Sequence, residues 1–202
     1  MPYKIQDEKL FINTKNYCFE FLDAKSVTAE TKNLNGLSED FLELKVVGEN
    51  TRHYCVFPDL SLVYMPDYSE ENLFSLDSEH YVLTTIKLNA FTDEIDTLVE
   101  ENEYHIFYKK LVKEKHGEIF LLKNYENNTA FVIISETPDA FLTTLNIVDG
   151  VVKVENGGNG LAVGFCKIDE CANFIKAYYN TARTPKTLVT MSNTWGDRNG
   201  IS

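Results

Sequence analysis

The sequence contains no long apolar run and few cysteines, which excludes several classes of protein. No stretch of its 202 residues approaches the ~18 apolar residues of a membrane-spanning helix, and the start, MPYKIQDEKLF, lacks the apolar core of a signal peptide. We therefore expect a cytoplasmic protein without a membrane segment. The four cysteines form no C-x-x-C pair and share no spacing with the four histidines. The sequence thus predicts no zinc site and no disulfide framework, but free and mostly buried thiols.

Basic residues are also scarce. The chain has 19 lysines and arginines against 31 aspartates and glutamates, which gives a formal net charge of -12. A charge of this sign repels phosphate backbones and anionic lipid headgroups alike. Nucleic acids and membrane surfaces are therefore not expected partners. The apolar fraction of 44% is sufficient for an ordinary hydrophobic core.

Motifs of known catalytic sites are missing as well. The sequence has no G-x-S-x-G and no H-E-x-x-H, and the glycines at 157–160 lack the spacing of a phosphate-binding loop. Neighbouring acids such as Asp93 with Glu94, or Glu100 with Glu101, lie in the charged span FTDEIDTLVEENEY, where we expect them to be solvated. The sequence predicts no catalytic residue, no metal site and no cofactor in this chain.

Short strand signals fill most of the chain. A hairpin is predicted from Lys9–Asn13 and 16–23, a polar loop over 28–40, and an alternating strand over 41–48. Asp149 and Gly150 form the clearest two-residue hairpin turn, because both residues tolerate positive φ. Many short strands separated by turn residues predict a β-sandwich. The regular strand runs are 81–90, 104–113, 118–124, 130–135, 141–148, 151–155 and 161–168.

The span 51–80 has aromatic residues and prolines without a clear period. One interpretation is a long loop on which Tyr54, Tyr64 and Tyr68 stack against sugar rings, since the C–H faces of pyranoses pack well on aromatic rings. The other interpretation is that these rings belong to the core of the sandwich.

One helix is predicted, over 169–184. Asp169 is the expected N-cap, and the stripe of Cys171, Phe174, Ile175 and Tyr178 has helical spacing. Thr184 and Pro185 are expected to end it. The apolar stripe must pack against another part of the protein.

The last stretch, TPKTLVTMSNTWGDRNGIS at 184–202, contains a short apolar strand followed by a polar tail with the only tryptophan. Its segment SNTWGDR, at 192–198, resembles the beginning of the catalytic barrel in a bacterial branch of the melibiase-type α-galactosidases, a glycoside hydrolase family. The segment GEIFLL at 117–122 resembles a sandwich strand of that family, and 171–183 resembles its connecting helix. The resemblance extends over roughly residues 115–202.

The resemblance implies three segments: a galactose-mutarotase-like β-supersandwich at 1–168, a connecting helix at 169–184, and the start of a (β/α)8 barrel at 185–202. The catalytic aspartates of the family lie on later barrel strands, so this chain would be a non-catalytic domain. With an intact barrel, Trp195, Asp197 and Arg198 would contact the substrate, an α-galactoside. The apolar residues of 185–197 lead us to expect a homo-oligomer.

Two alternatives stay open at this point. The helix either bridges the sandwich and the barrel, or packs on the sandwich alone. The whole chain is either the domain just described or a stand-alone module that binds carbohydrate or protein, and a flat row of exposed aromatic rings would favour the module.

Overall fold

The computed structural model describes residues 2–32, 41–68, 71–89, 98–136, 143–156 and 160–182. Within these ranges the chain is mostly β, with one helix near its C-terminal end, as predicted. The elements are β1 Tyr3–Gln6, β2 Lys9–Asn13, β3 Cys18–Phe21, β4 Ser26–Lys32, β5 Phe41–Val47, β6 Thr51–Phe57, β7 Leu62–Met65, β8 Glu71–Ser75, β9 His80–Asn89, β10 Leu98–Phe107, β11 Lys115–His116, β12 Ile119–Asn124, β13 Thr129–Ser135, β14 Thr144–Val148, β15 Val151–Glu155, β16 Leu161–Lys167 and α1 Cys171–Ala177.

The strands form three antiparallel sheets. The largest has nine strands in the order β10-β9-β12-β13-β16-β7-β6-β5-β4. The two smaller sheets are β1-β2-β3 and β11-β14-β15-β8. One face of the large sheet packs on both small sheets, because side chains from all three share one buried cluster, for example Leu10, Phe120 and Val152. This arrangement confirms the predicted β-sandwich.

The large sheet is apolar on its second face too. Along β13, Phe131 and Ile133 point into the sandwich core, while Val132 and Ile134 belong to a separate buried cluster that includes Tyr178 of the C-terminal helical segment. A strand buried on both faces has no alternation of polar and apolar residues. This explains why the span 51–80, which contains β6 and β7, has no clear strand period.

The predicted hairpins agree with the structure in their main features. Asp149 and Gly150 connect β14 to β15, with φ values of 50° and 80°. β2 pairs with β3 as expected, and β1 adds a third strand that the sequence pattern did not indicate. The predicted loop at 28–40 is partly wrong, because its first residues belong to β4, which pairs with β5. The rest of that loop, 33–40, lies outside the described residues.

The helical segment differs from the prediction in its beginning. A 3-10 turn at Ile168–Glu170 precedes α1, and a π-helical turn at Tyr178–Ala182 follows it. Asp169 is not the N-cap: the residue before α1 is Glu170, and no side chain there caps the helix. Within the described residues, no helix has the length and apolarity needed to cross a bilayer.

Candidate functional site

The substrate-contacting residues expected from the sequence, Trp195, Asp197 and Arg198, lie outside the described residues. The same holds for the predicted barrel strand and for the whole region predicted to mediate self-association, 185–197. Their roles stay predictions. The site that the structure does describe is the surface on which the C-terminal helix packs, immediately before this tail.

The three tyrosines proposed as a sugar-stacking row are in the interior. Tyr54, Tyr64 and Tyr68 are all buried, and the Tyr68 hydroxyl donates to the Val154 carbonyl oxygen at 2.9 Å. A buried ring offers no face to a sugar, so the stacking interpretation is wrong for these residues. The core interpretation is confirmed: Tyr54 and Tyr68 pack in the sandwich core, and Tyr64 packs under the helix.

The predicted apolar stripe does hold the helix against the large sheet. Cys171 and Tyr178 are buried in the second cluster, and Phe174 and Ile175 pack against its edge. The ring of Phe174 lies directly over Gly164 of β16: a Cβ atom at position 164 would be 2.0 Å from Cζ of Phe174. Only glycine leaves room for the ring at this point. The helix therefore packs on the sandwich. The residues that would distinguish a bridging helix from one that packs on the sandwich alone, 183–202, lie outside the described residues.

A carboxylate joins the helical segment to the sheet. Glu136, just after β13, accepts a hydrogen bond from the Tyr178 hydroxyl at 2.6 Å through Oε1 and one from the Tyr64 hydroxyl at 3.0 Å through Oε2. Hydrogen bonds to a charged acceptor are among the strong ones. The arrangement fixes the end of α1 relative to β7 and β13. It has no signal in the sequence, because the partners are 42 and 72 residues from Glu136.

Two cysteines lie where β16 leads into α1. Their sulfur atoms, Sγ of Cys166 and Sγ of Cys171, are 3.7 Å apart, and both side chains are buried. The hydrogen bond to Cys171 and burial raise the pKa of the Cys166 thiol. Because the thiolate is the nucleophilic form, this shift makes Cys166 a poor nucleophile. The prediction of free, mostly buried thiols is confirmed, with Cys18 as the exposed exception.

A polar cleft of about 400 Å³ lies beside β6 and β15. Its charged lining includes Asp23, Arg52 and Lys153. Arg52 donates to the Leu22 carbonyl at 2.9 Å, and the Asp23 carboxylate accepts the Glu49 backbone N–H at 2.8 Å. These contacts brace the loop after β3, so we assign the two side chains a structural role.

Within the described ranges, no group of three or more histidine, cysteine, aspartate or glutamate side chains is arranged to hold a metal ion. Comparisons with known proteins identify no matching family model, no similar curated protein and no similar solved structure. The functional assignment consequently depends on the sequence motif of the tail and on the geometry of the helix that precedes it.

Proposed function

We propose that this chain is the non-catalytic β-sandwich domain of an α-galactosidase-like glycoside hydrolase, and that the helical segment on the large sheet holds the beginning of the catalytic barrel in place. The observation that supports this best is the order of parts. A helix packed on a β-sandwich precedes SNTWGDR, at 192–198, along the chain, which is the order of the resembled family. The expected cytoplasmic location belongs to the same proposal.

The packing of the helix supports the mechanical part of the proposal. Phe174 lies over Gly164 and Tyr178 is bound to Glu136, so two separate contacts fix the helical segment on the large sheet. A barrel whose first strand starts from a fixed point can form its active-site geometry reproducibly. This matters because catalytic groups must be held to within a fraction of an ångström of their working positions.

The hydrolysis itself would belong to the barrel. A retaining glycosidase needs two carboxyl groups ~5–5.5 Å apart, one as nucleophile and one as acid and base. In this proposal both come from strands that follow the present chain. Trp195 would supply a stacking surface for the galactoside, while Asp197 and Arg198 would bind its hydroxyl groups at the C-terminal end of the first strand.

The test compares the present chain with a version whose reading frame continues beyond residue 202. We expect the chain alone to fold, with the circular dichroism of a β protein, and to release no 4-nitrophenol from 4-nitrophenyl α-galactoside. The extended protein should hydrolyse this substrate. Replacing Trp195 by alanine or Asp197 by asparagine there should reduce kcat/KM at least tenfold, whereas Tyr125→Ala, on an exposed turn of the sandwich, should not.

Two outcomes would contradict the proposal. Turnover by the chain alone that persists through purification would mean that the catalytic groups are within these 202 residues. A folded extended protein that leaves α-galactosides intact would mean that the parent enzyme belongs to another class. The matching β-galactoside serves as the substrate control.

A further inference from the structure

Cys166 and Cys171 lie side by side where the chain passes from β16 into α1. Cys166 is on the same face of β16 as Gly164, because side chains two residues apart in a strand share a face. Phe174 covers Gly164, and Cys171, three residues earlier in the helix, lies against Cys166 with 3.7 Å between the two sulfur atoms. The helix therefore runs back along the strand that it follows, and the two thiols meet at its first residue.

The other contacts that hold the helical segment lie farther along it. Phe174 packs over Gly164, and Tyr178, after the last residue of α1, is hydrogen-bonded to Glu136. At the beginning of α1 no side chain caps the helix. The contact between the thiols is weak, since S–H is a weak donor and sulfur a weak acceptor. A covalent bond between the two sulfur atoms would fix the beginning of the helix as well.

A disulfide between these residues requires little movement. A sulfur–sulfur bond is ~2.05 Å long, so the two Sγ atoms have to approach by about 1.7 Å from their present 3.7 Å. Rotation of both side chains about their Cα–Cβ bonds can supply this displacement. Cys166 and Cys171 are each 6% exposed, and their neighbours Lys167 and Glu170 are exposed. The pair thus lies just beneath the surface, within reach of a small oxidant.

The two sulfur atoms differ in acidity. Cys166 donates its S–H to Sγ of Cys171, and this hydrogen bond lowers the pKa of the Cys171 thiol. The same contact and burial raise the pKa of Cys166. Because the thiolate is the reactive form, Cys171 is the thiol that attacks an oxidant first, and Cys166 lies beside it. Redox-sensing cysteines often have this arrangement, a reactive thiol next to a resolving one.

We propose that Cys166 and Cys171 form a reversible redox switch, which a hydroperoxide closes and a dithiol reductant opens. The Cys171 thiolate attacks one oxygen of hydrogen peroxide, the O–O bond breaks, and the hydroxide that leaves takes up a proton to become water. Cys171 is then a sulfenic acid. Sulfur of Cys166 attacks this sulfur, the S–O bond breaks, and the hydroxyl group leaves with the Cys166 proton as a second water.

The electrons balance in both directions. Closing the switch moves two electrons from the thiols to the peroxide. A dithiol returns two electrons by thiol–disulfide exchange and becomes a disulfide itself. The closed form contains a covalent ring over 166–171 that ties the first residue of α1 to β16. Since a cross-link restricts the unfolded chain, the oxidised protein should resist unfolding better than the reduced protein.

The experiment treats the full chain with hydrogen peroxide, blocks the remaining thiols with iodoacetamide and digests the protein with trypsin. Cleavage after Lys167 places the two cysteines on separate peptides, 154–167 and 168–176. We expect these peptides to stay joined until dithiothreitol is added. The oxidised chain should also have a higher urea midpoint than the reduced chain. Cys18→Ser, the control at an exposed cysteine, should behave like the wild type in both measurements.

Two single variants test the roles of the thiols. In Cys166→Ser, dimedone should trap a sulfenic acid at Cys171 after treatment with peroxide. In Cys171→Ser, dimedone should label Cys166 much less, because Cys166 is the poorer nucleophile. Peroxide should raise the urea midpoint of neither variant. Trapping at Cys166 but not at Cys171 would contradict the assigned roles.

Three results would overturn the inference. The first is that peroxide leaves the two peptides separate, whether the thiols stay free or become sulfinic acids. The second is that the bond joins Cys166 or Cys171 to Cys18 or to a second chain. The third is that the bond forms but the urea midpoint does not rise. None of these results bears on the α-galactosidase activity of the extended protein, so the two proposals fail separately.

Discussion

The contact between Gly164 and Phe174 yields a prediction about Gly164→Ala. This substitution should lower the free energy of unfolding of the wild type but raise that of a protein without the Phe174 ring. In the wild type, a methyl group at position 164 would lie 2.0 Å from Cζ, 2.5 Å from Cε1 and 3.0 Å from Cε2 of the ring. Non-bonded carbon atoms prefer about 3.5–4.0 Å, so the ring and part of the helix must move. Overpacking of this kind costs ~1–3 kcal/mol, and we expect Gly164→Ala to lower the free energy of unfolding by about 2 kcal/mol.

The same substitution should be stabilising once the ring is gone. Phe174→Ala alone should cost about 2 kcal/mol, below the ~3–5 kcal/mol of a fully buried phenylalanine, since the ring is only half-buried. In that background the obstacle to a methyl group has been removed. Alanine then restricts the unfolded chain more than glycine does, which contributes ~0.4–1 kcal/mol of stability. The double mutant should therefore be more stable than Phe174→Ala.

Urea unfolding followed by circular dichroism measures the free energy of unfolding of the wild type, the two single mutants and the double mutant, provided that the m-values agree. Val163→Ala is the matched control, because Val163 is the neighbouring residue but packs in the sandwich core on the other face of the sheet. Its effect should add to that of Phe174→Ala. If Gly164→Ala and Phe174→Ala also add to within ~0.5 kcal/mol, the ring does not lie over the glycine and the helix is placed differently.

Two further predictions concern the polar contacts. Tyr178→Phe should lower the free energy of unfolding by ~1.5–3 kcal/mol, because it removes a partly buried hydrogen bond to the Glu136 carboxylate, and an unchanged urea midpoint would contradict this. The hydrogen bond from Lys32 lowers the pKa of Glu43 in the folded protein. The pair therefore stabilises the fold fully at pH values above the pKa of an unfolded glutamate, about 4.3. This contribution is lost as the pH falls through the lower pKa of Glu43 in the folded state. Glu43→Gln should therefore be less stable at pH 7 and lose less stability between pH 6 and pH 3 than the wild type, whereas parallel pH profiles would refute the argument.

The strands that the sequence predicted best are those bounded by distinctive turns. Asp149 and Gly150 both take positive φ in the structure, and the strands on either side follow the prediction within a few residues. β4 was missed for a physical reason. It is an edge strand of the large sheet, and its sequence SVTAETK is polar, which disfavours pairing with other chains. Without its partner β5, such a segment has the composition of a loop.

Only part of the candidate site could be predicted from the sequence. The helical stripe was correct because its spacing is local, whereas the bond between Tyr178 and Glu136 depends on the order of strands in the sheet. Gly164 does leave a signal, since a single glycine within the apolar strand LAVGFCK indicates close approach of another group. What approaches it cannot be read from the strand itself.

The positions of the aromatic residues explain why the interpretation of Tyr54 and Tyr64 as exposed rings is wrong. Tyr54 and Tyr64 lie inside strands of a sheet that is covered on both faces, so their rings enter one core or the other whichever way they point. Among the described strands and their turns, the exposed rings occur where strands stop: Phe107 is the last residue of an edge strand, and Tyr108 and Tyr125 lie in turns. A turn residue has no neighbouring strand to cover it. In a sheet that is covered on both faces, therefore, an exposed flat ring is to be sought at strand ends, as Phe107 at the end of β10 illustrates.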